Sequence, residues 1–257
     1  MCEPLSSNSP SNPPLPQTGQ LANRLSETLK RIETAALRHG RHPASVSLLA
    51  VTKQQSAEVV RTAASLGQRR FGESYLQEAI PKIASLQDLR LDWHFIGQIQ
   101  SNKTRAIAEH FSWVHTVDRL KIAERLDEQR PPDAAPLNVC VQVKLAPEEG
   151  KAGIPLAEAA PLAKAIASLP RLRLRGLMCI PPPIETFEKQ LAYFRTMSDL
   201  LAELKSGGLL VDTLSMGMSS DLEAAVAAGS TLVRVGTAIF GERNIRDARR
   251  ETRDASE

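Results

Sequence analysis

Lys53 is the first residue of the chain whose type and position could do chemistry. It closes an apolar run, LLAVTK, that has the composition of a strand buried on both faces. A lysine that emerges at the end of such a strand is partly desolvated, which lowers its pKa and makes it an amine nucleophile able to form a Schiff base. The alternative is a solvent-facing lysine that simply ends a strand, and position alone leaves both interpretations open.

Two glycine-containing segments near the C-terminus could hold an anion. LSMGMSSDLEAAVAAG places Ser219 or Ser220 near a helix N-cap, where backbone N–H groups and the helix dipole attract negative charge. TLVRVGTAIFGER ends its strand at Gly236 and Thr237. Either segment alone is explained by ordinary capping and a turn glycine. Together, at consecutive strand ends opposite Lys53, they predict a site for a phosphorylated carbonyl compound.

Arg234 lies two residues before Gly236, so strand alternation points its side chain inward as well. An inward arginine requires a partner. That partner is either a ring nitrogen or anionic group of a bound cofactor, or a carboxylate at a strand end. His94, Asn102 and Lys103, in WHFIGQIQSNK, are weaker candidates, because a core histidine and a helix start explain them equally well.

A metal site is not indicated. Cys2, Cys140 and Cys179 are too few and too scattered for a thiolate site or a disulfide framework. His39 and His42 have no carboxylate or cysteine cluster beside them to complete a coordination shell.

Eight short runs rich in Val, Ile and Leu predict the strands that would position these residues. They are Ser47–Lys53, Arg69–Ser74, Asp92–Gly97, Trp113–Asp118, Leu137–Leu145, Leu172–Ile180, Asp212–Gly217 and Thr231–Thr237. Amphipathic stretches separate them, and a helical pattern over Gln20–Gly40 precedes them. Eight such units predict an α/β fold, a single (β/α)8 TIM-type barrel with a leading N-terminal helix. An open doubly wound sheet is the competing fold, but it usually has a glycine-rich turn after its first strand, and Ala50–Gln54 contains no glycine.

Composition sets the domain plan and excludes several partners. We expect a disordered proline-rich tail over 1–19, the barrel over 20–245 and a polar tail over 246–257. The 257 residues are 42% apolar and carry a net charge of +3 with mixed signs, so neither nucleic acid nor a membrane is an expected partner. The first residues lack an apolar signal segment, so a cytoplasmic location is expected.

Long segments of the chain resemble the pyridoxal phosphate homeostasis protein family, from about residue 20 to 243. The similarity is carried by LLAVTK, RRFGESYLQEAIPKI, DWHFIGQIQSNKTRAIAEHFSWVHTVDRLKIAERL, LRLRGLMCIPPP and LSMGMSSDLEAAVAAGSTLVRVGTAIFGER. The resemblance implies a barrel of the alanine racemase N-terminal type that binds pyridoxal 5'-phosphate (PLP). It also implies that Lys53 is the Schiff-base lysine, that Arg234 meets the pyridine nitrogen, and that Ser219, Gly236 and Thr237 hold the phosphate.

The chain departs from this family at a few positions. The family commonly has Gly-Glu-Asn after the second strand, whereas this chain has Gly72-Glu73-Ser74, so Ser74 takes the place of an asparagine that would cover the cofactor ring. Gln54 also differs from the Lys or Pro that is usual soon after the Schiff-base lysine, and Lys144 stands where an Asn is common.

Two classes of function fit a PLP-binding barrel. The expected one is a non-catalytic protein that buffers PLP or delivers it to PLP-dependent apo-enzymes, and that is a monomer. The alternative is a PLP-dependent amino-acid racemase, which needs a second acid/base, normally a tyrosine from a separate C-terminal domain. Tyr75 and Tyr193 both lie in helical patterns, and no second domain is expected after the barrel. A Schiff-base aldolase is a third, less favoured interpretation.

Overall fold

Eight parallel strands close on themselves around the core. The computed structural model describes residues 18–145 and 152–241, so most of the two predicted tails lies outside the described residues. The strands are β1 (Ser47–Val51), β2 (Arg70–Glu73), β3 (Asp92–Phe95), β4 (Trp113–Val117), β5 (Leu137–Lys144), the two-residue β6 (Ile154–Pro155), β7 (Leu172–Met178), β8 (Thr213–Ser215) and β9 (Leu232–Val235).

The sheet has the strand order β4-β3-β2-β1-β9-β8-β7-β5, and β4 also pairs with β5. The pairings of Trp113 with Asn138 and of Val114 with Val139 supply that closure. Among the described residues β6 pairs with the end of β5, and it stands outside the ring. The closed ring confirms the predicted barrel and excludes the open doubly wound sheet.

Helices surround the barrel and cover the outer faces of the strands. They are α1 (Thr18–Arg38), α2 (Ala57–Ser65), α3 (Leu76–Ser85), α4 (Thr104–His110), α5 (Leu120–Gln129), α6 (Leu156–Ala167), α7 (Phe187–Ser206), α8 (Leu222–Ala227) and α9 (Thr237–Phe240). None of the helices in the described ranges is long and apolar enough to cross a membrane.

The predicted leading helix is present as α1. It starts at Thr18, two residues before the predicted barrel boundary at residue 20. Leu21, Leu25 and Ile32 recur at helical spacing and are buried, which gives the helix one apolar face. α1 packs against α8 and α9, the helices that follow the last two barrel strands. The leading helix therefore supports the part of the barrel in which the phosphate site is predicted.

Candidate functional site

The predicted site residues follow four strands that are neighbours in the ring. β2, β1, β9 and β8 are adjacent in that order, and they are followed by Ser74, Lys53, Gly236 and Ser219 respectively. Since all strands are parallel, these residues lie at the same, C-terminal end of the barrel. The phosphate segments had been expected opposite Lys53. The structure corrects this. β9 pairs directly with β1, so the loop after β9 lies beside Lys53 rather than opposite it.

Lys53 is half-buried and lies two residues beyond β1, at a sharp turn of the chain. The preceding Thr52 is fully buried and donates its backbone N–H to Gly72 O at 3.0 Å. The following Gln54 has a φ of 63°, a left-handed conformation that is uncommon for a residue other than glycine. Its N–H donates to Glu78 Oε2 at 2.8 Å, which stabilises the turn.

A buried ion pair lies next to Lys53, and the sequence analysis missed it. Glu73, at the end of β2, accepts hydrogen bonds at Oε1 from Lys82 Nζ (2.7 Å) and from Thr52 Oγ1 (2.7 Å). Burial raises the pKa of Glu73, and Lys82, Thr52 and the charge of Lys53 oppose that rise. Its second oxygen, Oε2, has no hydrogen-bond partner within the described residues.

The loop after β8 is shaped by glycine and by an aspartate. Gly217 has a φ of +96°, and a Cβ there would lie 2.5 Å from Ala225 Cβ, so only glycine fits. Asp221 Oδ1 accepts the backbone N–H of Met218 at 2.5 Å and is the residue at the N-cap of α8. Ser219 and Ser220, expected near this N-cap, are the two residues that precede Asp221. α8 has only six residues, so we assign any anion site there to loop N–H groups and hydroxyls rather than to a helix dipole.

Gly236 brings the loop after β9 close to β1. A Cβ at this position would lie 3.2 Å from Val51 O, tighter than ordinary contact. Thr237 is exposed and begins α9. The absence of a side chain at Gly236 thus keeps the backbone of this loop beside the turn that carries Lys53.

Arg31 links the leading helix to the loop after β8, which contains Ser219. Its Nη2 donates to Ser219 O at 3.1 Å, and its Nε and Nη2 donate to the two carboxylate oxygens of Glu223 at 3.0 and 3.1 Å. The pattern of the sequence predicted α1 but not this contact.

Arg234 points into the barrel, as predicted, and is only 5% exposed. Its Nη1 donates to Ser215 O (2.6 Å) and Ser215 Oγ (2.8 Å), and its Nη2 donates to Cys179 O (2.9 Å). These partners are uncharged oxygens. The carboxylate that was one expected partner of Arg234 is therefore not among these hydrogen bonds. Burial lowers the pKa of the guanidinium, and nearby groups that include Asp221 oppose that change.

Two buried histidines fill the barrel next to this arginine. His94 Nδ1 lies 2.8 Å from His115 Nε2, and His115 Nδ1 lies 2.8 Å from Ser215 Oγ. Burial lowers the pKa of His115 to about 3, and it lowers that of His94 well below its ordinary value. His94 is therefore a core residue, but its Nε2 lacks a partner in the described chain. His115 was missed, although the alternation in WVHTV places it on the same face as Trp113.

The remaining candidates lie after β3 and before β1. Asn102 is exposed and Lys103 is half-buried, both in a short 3-10 helix after β3. His42 Nδ1 accepts the N–H of Ala44 at 3.2 Å, which is a local cap. No group of three His, Cys, Asp or Glu side chains in the described ranges could hold a metal ion.

Comparisons with known proteins agree with this architecture. The family model of the alanine racemase N-terminal domain matches residues 24–244. The pyridoxal phosphate homeostasis protein of Escherichia coli is 52% identical over 227 residues, which cover 87% of this chain and 97% of that protein. That of Pseudomonas aeruginosa is 55% identical over 224 residues, covering 87% and 96%.

Solved structures show the same barrel. PipY of Synechococcus elongatus, determined with PLP bound, is 42% identical and superposes with a TM-score of 0.76, covering 86% of this chain and all of that one, 100%. Alanine racemase of Corynebacterium glutamicum is 16% identical with a TM-score of 0.65, and this chain spans 62% of it, so that likeness concerns the fold alone. The chain therefore belongs to the alanine racemase N-terminal domain family and, within it, to the pyridoxal phosphate homeostasis proteins.

Proposed function

We propose that this chain binds PLP at the C-terminal end of the barrel and serves its homeostasis by buffering the cofactor or delivering it to apo-enzymes. The observation that carries the proposal is the placement of these groups. An amine, a buried guanidinium and two glycine-containing loops lie on adjacent strands at one end of the barrel. PipY was determined with PLP bound, and the curated relatives are named for PLP homeostasis. These two facts identify which phosphorylated carbonyl compound such a site takes.

The residues present fit the three parts of PLP. Its aldehyde needs an amine, for which Lys53 stands half-buried beside a carboxylate. Its pyridine nitrogen needs a hydrogen-bond donor, and the hydrogen bonds of Arg234 to Ser215 and Cys179 leave the Nε hydrogen and one Nη2 hydrogen unused by those bonds. Its phosphate needs several donors that approach closely, which loops with glycine at Gly217 and Gly236 supply.

Each residue then has a defined task. PLP, when bound, supplies an electrophilic aldehyde and a conjugated ring. Lys53 attaches the cofactor covalently, Glu73 holds negative charge beside that amine, and Arg234 orients the ring. Ser219, Gly236 and Thr237 hold the phosphate.

Ser74 is assigned to the edge of the ring, the position of the asparagine in the family's common Gly-Glu-Asn pattern. A Cβ at Gly97 would lie 2.1 Å from Ser74 O, so the loops after β2 and β3 are packed together without room for adjustment. This packing fixes the backbone of Ser74, and its hydroxyl is the group left to contact the cofactor.

We further propose that the protein is not an enzyme. An arginine at the pyridine nitrogen leaves that nitrogen unprotonated, which weakens the ring as an electron sink. One observation favours the racemase alternative, because Tyr75 directly follows Ser74 and is 44% exposed, at the same end of the barrel. Tyr75 is therefore the side chain to test as a second acid/base.

The test is to load the purified protein with PLP and to incubate it with single amino acids, following racemisation, decarboxylation and transamination. We expect no steady turnover by the wild type or by Tyr75→Phe. Turnover that is lost in both Tyr75→Phe and Lys53→Ala would overturn the non-enzymatic proposal. Release of PLP to an apo-enzyme, compared with free PLP, tests delivery. Light scattering tests the proposed monomer.

A further inference from the structure

A continuous chain of hydrogen bonds crosses the barrel interior from Arg234 to His94. Arg234 Nη1 to Ser215 Oγ, Ser215 Oγ to His115 Nδ1, and His115 Nε2 to His94 Nδ1 each measure 2.8 Å. The four side chains come from β9, β8, β4 and β3 and are all at most 5% exposed. The chain thus begins at the proposed ring-nitrogen partner and ends on the opposite wall of the barrel.

The donors of this chain run in one direction. Arg234 can only donate, so Ser215 Oγ accepts from it and has a single hydrogen left to give. If that hydrogen goes to His115 Nδ1, then His115 Nε2–H donates to His94 Nδ1, and every link has one donor and one acceptor. The reverse arrangement leaves the Ser215 hydrogen without an acceptor among the hydrogen bonds of the described residues.

Both histidines are neutral, as this arrangement requires. Burial, together with the charge of Arg234, lowers the pKa of His115 to about 3. Burial, His115 and Arg70 lower the pKa of His94. The His94 ring is also held in its plane, since it stacks on Trp113 with ring centroids 5.2 Å apart and an angle of 9°.

We propose that Ser215, His115 and His94 are positioning residues that hold Arg234 in place at the ring end of the cofactor site, and so set how tightly PLP binds and what absorption spectrum it has when bound. This inference rests on the proposed function. Its physical basis is that both Nη1 hydrogens of Arg234 are engaged by Ser215, through O and Oγ. Loss of the Oγ bond leaves the guanidinium with its bonds to Ser215 O and Cys179 O, which fix its orientation toward the ring less tightly.

The test compares Ser215→Ala with Ser230→Ala, two deletions of fully buried hydroxyls near the same strand pair. Ser230 Oγ bonds only to the backbone oxygens of Leu214, Met216 and Leu232 among the described residues, and so has no link to Arg234. We expect Ser215→Ala to bind PLP about tenfold more weakly, as for loss of one hydrogen bond to a charged group, and to shift the absorption maximum of bound PLP. Ser230→Ala should lose stability and leave both PLP properties unchanged.

If Ser215→Ala cannot be purified, His115→Phe replaces it in the comparison with Ser230→Ala. His94→Phe should weaken PLP binding and shift the absorption maximum less, since His94 lies one hydrogen bond further from Arg234. Equal effects of Ser215→Ala and Ser230→Ala on PLP, or wild-type affinity and spectrum in Ser215→Ala, would overturn the inference while leaving the proposed function standing. A wild-type protein that fails to bind PLP contradicts both.

Discussion

Arg234 and Glu73 are ionisable groups that the barrel removes from water on the two strands flanking β1. Burial of an ion costs several kcal/mol unless partners replace its hydration. Glu73 is compensated by Lys82 and Thr52, whereas Arg234 donates to three uncharged oxygens of Ser215 and Cys179. The two groups therefore give the turn at Lys53 a negative neighbour on one side and a positive one on the other.

Glu73→Gln tests the buried ion pair. The amide leaves the Lys82 ammonium buried without a counter-charge, which we expect to lower the free energy of unfolding by about 3–5 kcal/mol in urea denaturation. The double variant Glu73→Gln/Lys82→Met should recover part of that loss, since it removes both charges. A single variant as stable as the wild type would show that the pair is not what stabilises this end of β2.

Replacing Ser219 by Ala and Thr237 by Val tests the phosphate loops. Each lost hydrogen bond to a charged phosphate is worth about 1.5–3 kcal/mol, or roughly a tenfold to hundredfold weaker affinity. Equilibrium titration should show this loss for PLP but not for pyridoxal, which has no phosphate. Equal losses for both ligands would mean that the two residues act on the fold alone.

Residue types and spacing predicted Lys53, Arg234 and the glycine loops because strand ends and alternation in a barrel are regular. The partners of these residues could not be read in the same way. Lys82 reaches Glu73 from a different element, and Ser215 meets His115 across 100 positions of sequence. Such contacts depend on how the ring closes, which periodicity does not encode.

At the scale of elements, α1 acts on the site through one side chain. Arg31 joins this helix to Ser219 O and Glu223, so the loop proposed to hold the phosphate is supported from outside the barrel. Arg41 offers a matched control, because its Nη1 donates to Val226 O in the same helix α8 without touching the loop.

We expect Arg31→Ala to weaken PLP binding by a few fold and Arg41→Ala to leave it unchanged, with a similar loss of stability of about 1 kcal/mol in each. Titration with PLP and thermal unfolding measure the two quantities. If the two variants retain PLP equally well, the contact with Ser219 does not support the loop.

At the scale of the whole molecule, the barrel interior should make stability depend on pH. His94 and His115 stay neutral in the fold but take up protons in the unfolded chain below their ordinary pKa of 6.5. Since both folded pKa values are depressed, the stability that these histidines contribute is present above pH 6.5 and is lost as the pH falls below it, for His115 down to about 3.

Urea denaturation at pH 7 and pH 5 measures this contribution. Between these values we expect His115 to cost the wild type about 2 kcal/mol, and His94 to add to that cost. The double variant His94→Gln/His115→Gln should lose less free energy of unfolding on acidification. The carboxylates contribute equally to both proteins. If the free energy of unfolding changes equally between the two pH values in both proteins, the histidines are not buried as neutral rings.

The architecture of the whole chain was predicted more fully than its contacts. Eight apolar runs predicted eight barrel strands, and their bounds agree with the structure to within one or two residues. The short α9 was not predicted, because four residues are too few for a helical period.

The central claim is that PLP is attached to Lys53, and borohydride reduction of the PLP-loaded protein tests it most directly. Peptide mapping by mass spectrometry should find the reduced cofactor on the peptide that contains Lys53, and Lys53→Ala should carry none. Lys103→Ala, which removes another half-buried lysine at the same end of the barrel, should be labelled like the wild type. Label on another lysine in the wild type, or undiminished label in Lys53→Ala, would contradict the account.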